Sequence, residues 1–107
     1  HGVAAELIRW TSSRTGLVIS LDVPSGVDST TGAAPGIYVR ATTTMTLAVP
    51  KTGLDADAVG ALWLADIGIP REVYSRAGVQ LPVGLFTSGY RVHLVAANPL
   101  GRNDGAK

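Results

Sequence analysis

The 107-residue sequence contains no cysteine, which removes two classes of protein at once: folds stapled by disulfides and zinc sites built on thiolates. That absence suits a reducing compartment, and a cytoplasmic protein is the expectation. Charge is scarce as well, at 16% of residues with a formal net of +1. The basic residues are scattered from Arg9 to Lys107 without a cluster, so the electrostatic footprint of a nucleic-acid binder is missing. Apolar runs such as Leu62-Trp63-Leu64-Ala65 fall far short of the roughly 20 residues that cross a bilayer, and no membrane partner is expected. Neither an initiator Met nor a basic-then-apolar leader opens the chain at His1-Gly2, which predicts a trimmed or incomplete product.

What remains is apolar for its size, with 46% hydrophobic residues. The length allows one small domain, and the composition predicts that part of its surface is covered by something outside this chain. Val3, Ala4, Leu7, Ile8 and Thr11 follow helical spacing, which predicts an amphipathic helix over residues 2–14 that stops at Thr15-Gly16. The run 16–21 then reads as a buried strand. Helix, short loop and strand in this order form the repeating step of a parallel α/β sheet.

Asp22 ends that strand, where open α/β sheets present ligand-binding groups. Pro24 restricts Val23 to extended backbone, and Gly26 lets the chain turn or approach a ligand closely. Residues 23–40, rich in Pro, Ser, Gly and Thr, read as a long ordered loop. A second strand is expected over 41–49, with Met45, Leu47 and Val49 on one face and Thr44 and Thr46 on the other. One or two helical turns over 55–61, a strand over 62–67, a short helix from Pro70 to Arg76 and a last strand over 90–96 complete the reading.

Asp22-Val23-Pro24-Ser25-Gly26-Val27-Asp28, followed by Thr31-Gly32, resembles the signature of the YjeF N-terminal domain family, the NAD(P)H-hydrate epimerases. Residues 41–47 leading into Pro50-Lys51-Thr52-Gly53-Leu54 look like that family's next strand and turn, and Ala65-Asp66-Ile67-Gly68-Ile69-Pro70 like its following strand ending. The three motifs together span about residues 5–74. The resemblance implies a Rossmann-like three-layer α/β/α sandwich with a mainly parallel sheet, of which residues 1–97 are the C-terminal half and 98–107 a flexible tail or linker. It further implies interconversion of the R and S forms of hydrated NADH and NADPH, with Asp22 contacting the hydrate and Ser25 helping to bind a potassium ion. Asp22 is also the candidate for acid/base work, for which a carboxyl pKa raised by partial burial would serve.

The family's Asn-Asn-Gly loop belongs to the other half of the domain, and here no Asn precedes Asn98. A middle segment, with a further potassium carboxylate and a Gly-rich substrate loop, belongs ahead of the first helix. The resemblance therefore implies one wall of an active site. The partners it implies are the N-terminal half, a second copy of the chain, and an ADP/ATP-dependent dehydratase, fused or separate. A non-catalytic binding or scaffold module of the same fold is the alternative.

Other residues carry two readings each. Asp22 before a proline is also a turn carboxylate that caps backbone N–H groups, and Ser25 a common turn serine. Asp28 and Thr31 are expected to stabilise the loop, and Asp66 to act locally. Lys51 is read as a solvated turn lysine, with a phosphate contact as the other option. His1 and His93 have no partner at metal-ligand spacing, and Trp10 and Trp63 are read as packing or partner-contact residues.

Overall fold

The computed structural model describes residues 2–95; His1 and residues 96–107 lie outside them, and with them the expected tail and the end of the last strand. Helix α1 (Gly2–Ser12) is followed by strand β1 (Ile19–Leu21) and strand β2 (Thr43–Leu47). Helix α2 (Ala56–Val59), strand β3 (Ala61–Ala65), helix α3 (Arg71–Arg76) and strand β4 (Arg91–Leu94) complete the order. The helix α1 stops short of residue 14 because Thr11 and Ser12 turn their hydroxyls back onto the Leu7 and Ile8 carbonyls, a competing bond that favours helix ends.

The four strands form one sheet in the order β1-β2-β3-β4. The first three are parallel, Ile19 facing Thr43 and Thr43 facing Ala61, whereas β4 runs antiparallel to β3 with Trp63 opposite His93. Parallel neighbours need a crossover, and between β2 and β3 it contains α2. Asp55 caps α2 by accepting the Asp57 N–H at 2.9 Å, and Gly60 closes it at φ 63°. Pro70 stands at the N-cap of α3, one position before the first-turn place expected for it. No helix among the described residues is long and apolar enough to cross a membrane.

The register assigns Thr44, Thr46, Leu62 and Leu64 to one face of the sheet and Ile19, Leu21, Met45 and Trp63 to the other. The closed face is the one with the threonines. Thr44, Thr46 and Leu64 are fully buried, while Met45 and Leu47 are only half-buried. Polarity alone points the other way, but hydrogen bonding reverses it. The Thr44 hydroxyl donates to the Val59 carbonyl of α2 at 2.9 Å, and the Thr46 hydroxyl turns to Asp22.

The other face is open. The segment expected to be a buried strand leaves Leu17, Ile19 and Leu21 exposed at 81, 71 and 70%, because β1 has a strand on one side only and nothing among the described residues covers these three side chains. Trp63 gains partial cover from its neighbours, with the His93 ring 4.9 Å away and the Arg91 guanidinium 5.0 Å from its centroid.

Candidate functional site

The adjacent parallel strands β1 and β2 end in the same device. After β1, Val23 N–H donates to the Leu21 carbonyl at 2.9 Å around Asp22, whose φ is 68°. After β2, Val49 N–H donates to the Leu47 carbonyl at 2.8 Å around Ala48, whose φ is 66°. Each is a three-residue turn with its central residue on the rare, strained side of backbone space, and these are the two non-glycine residues with positive φ among the described residues. Each turn is also pinned to the next strand: Asp22 N–H to the Met45 carbonyl at 2.7 Å, and Ala48 N–H to the Ala65 carbonyl at 3.1 Å. The Tyr74 hydroxyl of α3 donates to the Ala48 carbonyl at 3.1 Å and holds the second turn from outside.

The first turn throws the Asp22 carboxylate across to the second. Its Oδ1 accepts the Lys51 ammonium at 2.8 Å, the Leu47 N–H at 3.1 Å and the Thr46 hydroxyl at 3.3 Å. Lys51 also donates to the Leu47 carbonyl, so the carboxylate, the Leu47 peptide groups and the ammonium close a ring. Asp22 Oδ2 accepts no hydrogen bond among the described residues. The Lys51 hydrogen bond, the largest influence, holds the Asp22 carboxyl below its ordinary value. Partial burial opposes it and loses, because the Leu47 N–H, the charge on Lys51 and the Thr46 hydroxyl all act the same way. The carboxyl is therefore held in its ionised form rather than raised by its partial burial.

Gly32 and Gly53 bring the loops around this ring into backbone contact. Gly53 N–H donates to the Ser29 carbonyl at 2.9 Å, and the Thr52 hydroxyl to the Thr30 carbonyl at 2.9 Å. A Cβ on Gly53 would stand 2.8 Å from Thr30 C and Thr31 N, so no other residue fits without moving the backbone. Asp28 takes its expected place as the loop's internal brace, accepting the Thr30 and Thr31 N–H groups at 2.8 and 2.9 Å. Those two donors, Thr31 first, also hold its carboxyl below the ordinary value.

Ser25 lies apart from this ring. It is exposed and lines the groove between α1 and β1, together with Trp10, Leu17, Ile19 and Val39, whereas all of Asp22's bonds run toward β2. Its hydroxyl makes no hydrogen bond among the described residues, and its carbonyl accepts the Val39 N–H at 2.8 Å. A free hydroxyl is one of the oxygen ligands a hard cation takes. No cluster of three His, Cys, Asp or Glu side chains able to hold a metal occurs among the described residues.

Lys51 is the residue that sequence reasoning placed in solvent and the fold places at the site. Its side chain is 18% exposed, less than the 46% of Asp22 itself. The signal available was the Pro-Lys-x-Gly turn directly after a strand. Asp66 acts locally, accepting the Gly68 N–H at 2.8 Å. Trp10 stays exposed with the Arg14 guanidinium 4.5 Å from its ring centroid, and His1 lies outside the described residues.

A family model described as YjeF-related protein N-terminus matches residues 1–53, a span that ends at Gly53 and contains the Asp22–Lys51 ring. An NAD(P)H-hydrate epimerase of Dehalogenimonas lykanthroporepellens is 54% identical over 96 residues, covering 90% of this chain and 39% of that protein. A bifunctional NAD(P)H-hydrate repair enzyme of Salinibacter ruber is 43% identical over 75 residues, 66% of this chain and 14% of its own length. An NAD(P)H-hydrate epimerase of Weissella koreensis is 41% identical over 75 residues, 64% of this chain and 34% of its own. The chain thus spans well under half the length of these relatives.

Proposed function

Because the chain belongs to the YjeF-related protein N-terminus family, we propose that it forms one wall of the active site of an NAD(P)H-hydrate epimerase, with hydrated NADH or NADPH as substrate. The observation that carries the reading is the state of Asp22. One carboxylate oxygen is saturated by three donors, and the other is free at the carboxyl end of a parallel strand. Epimers differ at a single carbon, so interconversion breaks one bond at that carbon and remakes it on the opposite face. A neighbouring group must accept and return a proton as this happens. An ionised Asp22 starts as the acceptor, through its free oxygen.

Ser25 would supply one hydroxyl ligand to a potassium ion, the remaining oxygens coming from elsewhere in the protein. When bound, such an ion adds fixed positive charge and orders the oxygens around it. The N-terminal half of the domain would lie against this chain. A second copy is the other candidate for the exposed surface. The bifunctional name of the Salinibacter relative supports a dehydratase as fused or separate partner, and the cysteine-free sequence supports a cytoplasmic setting.

The test is an epimerisation assay on the protein at its full natural length, supplied with the R form of hydrated NADH and followed by chromatographic separation of R and S. The wild-type protein is expected to speed interconversion, and Asp22→Asn to slow it at least about 100-fold. No acceleration by the wild-type protein, or an unchanged rate in Asp22→Asn, contradicts the reading. Tight association with a protein partner and no dinucleotide binding would establish the scaffold alternative.

A further inference from the structure

We propose that Lys51 is a positioning residue for Asp22, the side chain that decides which carboxylate oxygen meets the substrate. The inference rests on the reading of Asp22 as the substrate-facing carboxylate, and its evidence is geometric. The ammonium is drawn in from solvent and spends one donor on Asp22 Oδ1 and another on the Leu47 carbonyl. The Leu47 N–H reaches the same Oδ1, so the two groups hold the carboxylate from adjacent sides and fix its rotation. Oδ2 is left as the one acceptor for a ligand.

The placement of Lys51 is itself built into the backbone. The strained turn at Ala48 reverses the chain immediately after β2, and Pro50 fixes the next step. The Gly53 contact with Ser29 then anchors the far side. Lys51 therefore projects back onto the end of its own strand, where Asp22 arrives from the neighbouring one. It is the sole charged group in ion-pair contact with Asp22 among the described residues. Thr46 and Leu47 face the carboxylate as neutral donors.

Without Lys51, the carboxylate keeps Leu47 and Thr46 but loses the donor that completes the ring, and both oxygens compete for the ligand. Lys51→Met keeps the volume and removes the charge; Lys51→Arg returns charged donors. In the full-length protein, Lys51→Met is expected to lower kcat roughly 10- to 100-fold with KM little changed, and Lys51→Arg to recover part of the loss. A second readout needs no turnover: the titration midpoint of the Asp22 carboxyl carbon, followed by NMR, is expected to rise in Lys51→Met and to fall back in Lys51→Arg. An unmoved midpoint, or a raised KM with kcat intact, overturns the inference. A wild-type protein without epimerase activity removes the functional reading and with it the substrate-facing part of the inference, while the midpoint separately reports whether Lys51 sets the state of Asp22.

Discussion

The corner where β1 and β2 end and the open face of the same two strands are built from neighbouring residues, yet they obey opposite rules. At the corner, polar groups are paired and backbones touch: Asp22 Oδ1 takes three donors, and Gly53 lies against residues 30–32. On the face, large apolar side chains stand in water, with Ile19 and Leu21 about 70% exposed and Val3, Leu7 and Trp10 of α1 exposed as well. Apart from Asp22 Oδ2, the corner makes its hydrogen bonds within this chain. The face is left open among the described residues, and apolar surface of this kind is where an interaction site is looked for. The difference teaches that this chain carries a preorganised chemical group on a scaffold that is still open.

The comparison can be broken most sharply at the loop contact. Gly53→Ala is expected to cost about 3 kcal/mol in denaturant melts, because the new methyl meets backbone atoms that have no rotamer to yield. A loss below about 1 kcal/mol would show that the corner is looser than its geometry. Tyr74→Phe comes next, at about 1 kcal/mol, since it removes one hydrogen bond to the Ala48 carbonyl. The carboxylates give a pH signature. Asp22 and Asp28 are held below their ordinary value of 3.8 in the fold, so their contribution is fully present above that pH and lost as pH falls through the folded values. Unfolding free energy measured by denaturant titration should therefore drop below about pH 4, and less steeply in Lys51→Met, where Asp22 keeps only the Leu47 N–H and the Thr46 hydroxyl against its partial burial. The smallest effect belongs to the open face. Leu21→Ser in this chain alone is expected to change stability by no more than about 0.5 kcal/mol, and a larger loss would mean that the face is covered.

The order of elements and the position of Asp22 were legible because they rest on local signals: helical spacing before Gly16, a short apolar run, and turn residues at Pro24 and Gly26. The brace at Asp28 was legible for the same reason, since it acts within a few residues. Lys51 was not, because its partner lies 29 residues away and meets it only once β1 and β2 pair. The burial of Thr44 and Thr46 was hidden too. Alternation shows that a strand has two faces, whereas the identity of the closed face depends on where α2 and Asp22 offer acceptors. The lowered Asp22 carboxyl follows from the same ring, whose donors come from residues far from Asp22 in sequence.

The central claim is that the substrate meets the corner. It is tested most directly by titrating hydrated NADH into the isotope-labelled full-length protein and following backbone amide shifts. Shifts concentrated at Asp22, Leu47 and Lys51, with Ile19, Trp63 and His93 unmoved, are the predicted result; shifts centred on the open face with a silent corner would contradict it.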